Sequence, residues 1–412
     1  MLDIKLIRQN PELIKEGCRK RGAEVDIDQI LDLDKKKREL IYKIEQLRHK
    51  QKELGTQTPL PLKKLKQIKN EIKKLEPLLK EKEEKLQKLL LSLPNLPLED
   101  VPEGKDEKEN VVLRKEGDLK RFDFKPKDYL TISEKLDLID VKRAGKVSGT
   151  RFGFLKKEAV LLEFALIKFT FDRLLKYGFI PIIPPVMLKP EMMEGTGHLS
   201  EEDRKEKYFI EKDQLYLAGT AEQPIAAMHA NEILKEKDLP LRYLGFSTCF
   251  RREAGSYGKD TKGIFRVHQF DKIEMFSFCK PEESKQEHEF FLNLQEKLMK
   301  EIDLPYQVVK ICTGDMGFPA ARQYDIETWI PSELRYRETH STSVCTDFQA
   351  RRLNIRYRSK TGKLNFVHTV NGTAFAIGRT LIAIIENYQQ KDGTIKIPEA
   401  LQKYTGFSQI PS

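Results

Sequence analysis

The stretch Cys249-Phe-Arg-Arg-Glu-Ala-Gly-Ser-Tyr-Gly-Lys-Asp-Thr-Lys-Gly-Ile-Phe-Arg-Val-His-Gln-Phe-Asp-Lys-Ile-Glu-Met275 carries two β-prone arms on either side of a loop rich in Gly and Lys, and it reads as a hairpin. Arg251 and Glu253 stand one residue apart, so in an extended strand they share a face. Such a face presents a guanidinium suited to a phosphate and a carboxylate suited to the amino group of a purine. Arg266 and Phe270 also fall on alternate positions and add a second cation and a ring on which a base can stack. An Arg–Glu pair by itself is common on protein surfaces; its weight here comes from the length of the run around it.

Outward from this hairpin, helical stretches such as 158–177 alternate with short β-branched or aromatic runs at 179–183, 214–217, 265–276 and 364–370. That mixture predicts an α+β domain built on an antiparallel β-sheet with flanking helices. Neither G-x-x-x-x-G-K-[ST] nor G-x-G-x-x-G occurs, so a bound nucleotide must be held without a phosphate loop of either kind.

The N-terminal part follows another period. Ile30, Leu33, Leu40, Ile44, Leu47 and Leu54 keep a 3,4 spacing that only Lys37 and Gln51 interrupt. After the breaker Gly55-Thr-Gln-Thr-Pro-Leu-Pro61, a second series runs through Leu65, Ile68, Ile72, Leu75, Leu79, Leu86, Leu89 and Leu93, with Lys82 filling the polar seam position. Two heptad helices joined by a short turn must run antiparallel, each projecting roughly 40 Å at 1.5 Å per residue. Pro77 falls inside the second helix and predicts a local kink. From Asp28 to Leu93 there are 18 Lys and Arg against 11 Asp and Glu, so most of the chain's net charge of +10 lies on this hairpin. A basic lever suits a phosphate backbone, although Lys and Glu also solvate the outer faces of ordinary coiled coils. Pro94-Asn-Leu-Pro97 ends the hairpin, and the polar stretch 101–110 has the composition of a linker. The expected domains are therefore 1–105, with the coiled coil over about 30–93, and 106–412.

A chain of 412 residues with 39% hydrophobic and 33% charged residues fits a soluble two-domain protein. No apolar run approaches the ~20 residues that a membrane span needs, and Asp3 and Lys5 break up the first segment, so no membrane partner and a cytoplasmic location are expected. Cys18, Cys249, Cys279, Cys312 and Cys345 form no C-x-x-C pair, and free thiols are expected.

The run from Cys249 to Met275 closely resembles motif 2 of class II aminoacyl-tRNA synthetases, in the form F-R-x-E-A-G-S-x-G-(K/R)-D-T-(K/R)-G followed by R-V-H-Q-F and K-(I/V)-E that seryl-tRNA synthetases use. The helix ending at Tyr177-Gly-Phe-Ile-Pro181, with Pro184 and Pro185, resembles motif 1, which in the family builds the dimer interface. Asn371-Gly-Thr-Ala-Phe-Ala-Ile-Gly-Arg379 resembles motif 3, and the heptad hairpin corresponds to the family's tRNA-binding arm. The resemblance implies that L-serine and ATP form seryl-adenylate and that serine then passes to the 3′ end of tRNA(Ser), with tRNA(Sec) as a further candidate acceptor. It implies a homodimer and a requirement for Mg²⁺, with Glu338 and Ser341 as the metal's protein ligands. Arg251 would grip the α-phosphate, Glu253 read the adenine amine, Phe270 stack under the base, Arg266 hold the γ-phosphate and Arg379 cover the other side. Arg252, Glu338, Thr339, His340 and Ser341 complete the implied nucleotide set, with Arg251, Arg379 and Glu338 as the catalytic residues. Thr220, Ala221, Glu222, Arg251, Glu274, Asn371 and Thr373 form the implied serine set. Serine brings an ammonium, a carboxylate and a small hydroxyl, which an acid, an arginine and hydrogen-bonding oxygens match. The carboxylate attacks the α-phosphorus directly, so no nucleophile or general base is needed and His268 reads as structural. Around the metal position His340, Thr342 and Val344 depart from the family pattern, as do Gln223 and Lys403 elsewhere.

Two other readings compete. A relative that activates an amino acid but loads a carrier protein lacks the long arm, which is intact here. A nonenzymatic coiled-coil RNA-binding protein with a degenerate core is expected to have lost Arg251, Glu338 or Arg379, and all three are present.

Overall fold

Asp26 ends the extended approach to the first long helix by accepting the backbone N–H of Gln29, an N-cap at 2.8 Å. That helix, α1 (Ile27–Leu54), and its partner α2 (Leu62–Leu91) are both continuous, and Pro77 lies within α2. The computed structural model describes residues 1–254 and 262–412, with backbone only at Glu201 and Glu202. Residues 255–261, the centre of the Gly- and Lys-rich loop quoted above, lie outside the described residues. The chain divides into two compact units, Met1–Leu96 and Pro97–Ser412.

In the first unit the seam buries Ile30, Leu33, Ile44 and Leu54 of α1 with Ile68, Ile72, Leu86 and Leu90 of α2. Antiparallel pairing shows in the cross-helix ion pairs Lys37–Glu83 at 3.3 Å and Arg48–Glu76 at 3.0 Å, which descend α2 as they climb α1, and Lys43–Glu71 at 2.9 Å also joins the two helices. The seam departs from the heptad count near its base, where Leu90 rather than Leu89 is buried. An α-helix drifts by about 20° per heptad, so a neighbouring residue takes over the buried position.

The polar stretch 101–110 belongs to the second unit. Gly104 N–H donates to Thr313 Oγ1, and Asn110 Oδ1 accepts the Cys312 N–H at 2.9 Å. A segment that reads as linker from composition is thus tied by its backbone, and the composition-based boundary near 105 falls inside this unit.

The second unit is built on eight strands: β1 (Val111–Glu116), β2 (Phe179–Ile182), β3 (Leu241–Phe250), β4 (Gln269–Cys279), β5 (Tyr306–Lys310), β6 (Arg322–Ile330), β7 (Arg335–Thr346) and β8 (His368–Ala376). They lie in the order β1-β5-β6-β7-β8-β4-β3-β2, antiparallel except for the β2–β3 edge. Helices α3 (Glu158–Leu174), α4 (Ser284–Glu301) and α5 (Ile377–Asn387) contribute Leu166, Phe291 and Leu381 to the main core, where Ile273 and Met275 of β4 meet them. The intervening residues Phe276 and Phe278 join Ala221 and Ile225 in a second core. Period-2 alternation along β4 thus separates a helix-covered face from the face that carries Glu274.

The quoted hairpin forms from β3 and β4, with Phe270 opposite Cys249. Its ends differ from expectation. Strand β3 stops at Phe250 and β4 starts at Gln269, so Arg251, Glu253 and Arg266 sit on the irregular turn, where Glu253 has a left-handed φ of 52°. The turn is pinned instead by side chains: Arg151 Nη1 donates to the Glu253 carbonyl at 2.9 Å, and His268 Nδ1 lies 3.0 Å from the Arg251 carbonyl. His268 thus ties the two ends of the turn together through Nδ1. All five cysteines are buried, and none of them forms a disulfide. Among the described residues no helix is long and apolar enough to cross a membrane.

Candidate active site

The sheet face bearing Glu274 forms the floor of a cavity of about 540 Å³. Register brings its residues together: Glu274 pairs with Thr373 across β4 and β8, and Ser343 pairs with Asn371 across β7 and β8. From the covered face, Gln295 of α4 donates to the carbonyls of Ser341 at 3.1 Å and Thr373 at 2.8 Å, fixing both strands from below.

At one end, Glu274 accepts hydrogen bonds from Thr220 Oγ1 at 3.2 Å and Thr373 Oγ1 at 3.4 Å, and Lys272 Nζ lies 2.6 Å from the same oxygen. Burial raises the Glu274 carboxyl pKa above its ordinary value, and Lys272 and the Thr220 hydroxyl offset only part of that rise. Glu222 opens the short helix Glu222–Ala227 and accepts from Gln349 Nε2 at 2.9 Å and Asn371 Nδ2 at 3.2 Å. That helix sits close because β3 carries Gly245 beneath it: a Cβ there would lie 2.5 Å from Ile225 Cδ1. Two carboxylates with hydroxyl and amide neighbours form a small polar pocket suited to an ammonium and a hydroxyl.

At the other end the groups suit a nucleotide. Arg251 Nε donates to the Gly219 carbonyl at 3.1 Å, and its guanidinium lies 5.3 Å from the Phe270 ring centre. Arg266 Nη1 bonds Glu253 Oε2 at 2.8 Å. Arg379, in the first turn of α5, reaches the Glu338 carbonyl at 3.0 Å and its carboxylate at 3.2 Å. Enclosure pushes the Glu338 carboxyl pKa up, but Arg379 and Arg251 outweigh it and hold the group below its ordinary value. Next to it Asp325, hydrogen-bonded to Ser341, is raised well above its ordinary value by burial and then by the charge of Glu338. Glu338, Ser341 and Asp325 offer oxygen donors only, the set that Mg²⁺ takes. Among the described residues no three His, Cys, Asp or Glu side chains could hold an ion unaided. The remaining ligands would come from phosphates and water, which is the usual coordination of this ion in nucleotide sites.

The cavity therefore collects Arg251, Glu253, Arg266, Phe270, Glu338, Thr339, Ser341 and Arg379 from the expected nucleotide set, with Thr220, Glu222, Glu274, Asn371 and Thr373 from the expected serine set. Three expected side chains do not line it. His340 points the other way along β7, its Nδ1 2.8 Å from Thr339 Oγ1 and its ring against Phe375, where burial lowers its pKa to about 4. Ala221 packs into the second core, and Arg252 turns over the Tyr208 ring at 5.9 Å. Conversely, Lys207, Lys272, His198 and Gln223 line the cavity without having been singled out for it. Lys272 was findable, because it lies two residues before Glu274 on one strand; Lys207 carries no such signal.

Comparison with known proteins agrees with this geometry. The tRNA synthetase class II core domain (G, H, P, S and T) matches residues 207–388, and the seryl-tRNA synthetase N-terminal domain matches residues 1–97. The second unit is thus a class II aminoacyl-tRNA synthetase core. A serine–tRNA ligase of Dictyoglomus turgidum is 45% identical, covering 100% of this chain and 99% of its own length. One from Thermococcus onnurineus is 48% identical, covering 100% and 97%. The crystal structure of seryl-tRNA synthetase from Pyrococcus horikoshii complexed with ATP has a TM-score of 0.93 at 45% identity, covering 100% of this chain and 99% of that one. The chain belongs to the seryl-tRNA synthetase family.

Proposed function

We propose that the protein activates L-serine with ATP, releasing pyrophosphate, and transfers serine from the adenylate to the 3′ end of tRNA(Ser), with tRNA(Sec) as a second candidate acceptor. The observation that carries this reading is the meeting, in one cavity, of Glu274 with its Thr220 and Thr373 hydroxyls and the Arg251–Phe270 pair. Glu274 and Thr220 would take the ammonium, while Thr373, Asn371 and Glu222 would set the space and polarity for the hydroxyl. Arg251 would hold the carboxylate beside the α-phosphate, so that the attacking oxygen and the phosphorus share one cation. Phe270 offers a face to the adenine, Glu253 an acceptor for its amine, Arg266 a cation for the γ-phosphate and Arg379 cover from the opposite side. Mg²⁺, held by Glu338 and Ser341 together with the nucleotide, would supply charge neutralisation of the phosphates. Positioning and electrostatics then account for the reaction without a protein nucleophile.

Expected Lys and Arg contacts to tRNA lie on the arm, where the positive excess is concentrated. Leu161 and Phe164 on α3, Ile180 on β2 and Ile183 just after it are exposed apolar side chains of the motif 1 region, which supports a homodimer. A cytoplasmic location follows from the role in translation. Arg251→Ala tests the reading: serine-dependent ATP–pyrophosphate exchange should vanish while tRNA binding stays near wild type, and undiminished exchange in that variant would overturn it.

A further inference from the structure

Lys207 follows the last turn of the short helix Glu201–Glu206 as its C-cap. It lines the cavity although only 7% of the residue is exposed. A Cβ built on Gly219 would lie 3.1 Å from its Nζ, and Gly219 is also the residue whose carbonyl receives Arg251 Nε. Two cations therefore converge on the wall that leads to Thr220. Among the described residues the Lys207 ammonium makes no ion pair within 4.0 Å. Of the acids whose charge acts on it, Asp203, Glu222 and Glu206, the first accepts from Ser200 and the second from Gln349 and Asn371. A buried ammonium beside a guanidinium, with no carboxylate in contact, is costly unless an anion comes to meet it.

We infer that Lys207 is a substrate-binding residue which, together with Arg251, holds the negative charge where the amino-acid carboxylate meets the α-phosphate of the nucleotide. This rests on the function proposed above. Before the reaction that place holds a carboxylate next to a phosphate. In the reaction an oxygen of the carboxylate bonds to the α-phosphorus as the bond to pyrophosphate breaks, so the carboxylate's charge passes through the α-phosphate and leaves on pyrophosphate, while the adenylate phosphate keeps its own. Arg251 is a planar fork already tied by Nε to a carbonyl, whereas Lys207 is a mobile point charge that can follow the moving charge. Burial first and Arg251 second push the Lys207 pKa down to about 8, against the pull of Asp203, Glu222 and Glu206. His198 stands beyond Glu222, Nε2 to Oε2 3.9 Å, with its own pKa lowered by burial.

The test uses the full chain, Lys207→Met and Lys207→Arg in serine-dependent ATP–pyrophosphate exchange from pH 6.5 to 9.5. Lys207→Met should lower kcat/KM for serine by ~10- to 100-fold, the worth of one charge-assisted contact, and Lys207→Arg should restore most of it. Lys207 in the free enzyme loses its proton as pH rises through about 8, whereas arginine does not. The wild-type value should therefore fall relative to Lys207→Arg above that pH, and taking the ratio at each pH cancels the titration of serine's own amine. A loss in the KM for serine identifies the carboxylate as the anion held, one in the KM for ATP the α-phosphate, and one in kcat the charge in transit; each supports the inference. Should Lys207→Met fold poorly, the wild-type against Lys207→Arg profile still decides. Equal kcat/KM for both serine and ATP in Lys207→Met and wild type, or parallel profiles in wild type and Lys207→Arg, overturns the inference. A wild type with no serine-dependent exchange overturns instead the functional reading on which it rests.

Discussion

Glu274 is the buried carboxylate on which the small polar pocket turns, since two threonine hydroxyls and one ammonium converge on a single oxygen. Glu274→Gln keeps the shape but leaves Lys272, itself buried, without its counter-charge. The variant should lose about 3 kcal/mol of stability, as broken buried pairs do, and raise the KM for serine far more than that for ATP. Urea unfolding and exchange kinetics check the two halves, and equal effects on both substrates would contradict the placement. His340 makes a separate prediction. Its folded pKa of about 4 lies below the ordinary 6.5 because of burial, so between those values the unfolded chain binds more protons than the folded one. This contribution to stability is complete above pH 6.5 and is lost as pH falls towards 4, at a slope of up to ~1.4 kcal/mol per pH unit. Substituting glutamine, His340→Gln, should flatten that part of the pH dependence of unfolding, whereas an unchanged slope would contradict it. His340 also shows what the sequence hid at this scale: a residue inside a nucleotide-binding motif can face the core, because one step along a strand reverses the side chain.

The arm and the hairpin are the elements most legible in the sequence, and for different reasons. Seven-residue periodicity survives in water because the seam must be apolar, so Ile30, Leu33, Ile44, Ile68 and Ile72 mark α1 and α2 in the sequence itself. The hairpin was legible from its charged residues, yet its strands end earlier than alternation suggested. Phosphate-binding groups sit on the irregular turn, and there side-chain bonds such as Arg151 to the Glu253 carbonyl replace the ladder. The segment 101–110 misled because its exposed polar side chains say nothing of its backbone, which bonds to Thr313 and to the Cys312 thiol. Lys207 was illegible because its neighbours, Gly219 and Arg251, come from distant parts of the chain. At this scale the arm can be separated from the chemistry. Deleting 34–89 and closing the gap with a short linker should spare adenylate formation and cripple transfer to tRNA. Exchange and charging assays on the same preparation check this, and charging at full rate would give the arm another role.

For the molecule as a whole, net charge and chemistry are divided between two units. Most of the +10 lies on a coiled-coil lever, while the cavity balances arginines against carboxylates on one face of an antiparallel sheet. The central claim is that this cavity accepts serine and no other amino acid for reaction with ATP. Polar groups positioned for a hydroxyl are left unpaired by alanine, so discrimination between the two should reach ~10⁴. The most direct measurement is ATP–pyrophosphate exchange by the purified chain with Mg²⁺ and each of the twenty amino acids in turn. The account predicts that serine supports exchange far above every other amino acid, with alanine lower by that factor. No exchange with serine, or comparable exchange with alanine or any other amino acid, would contradict it.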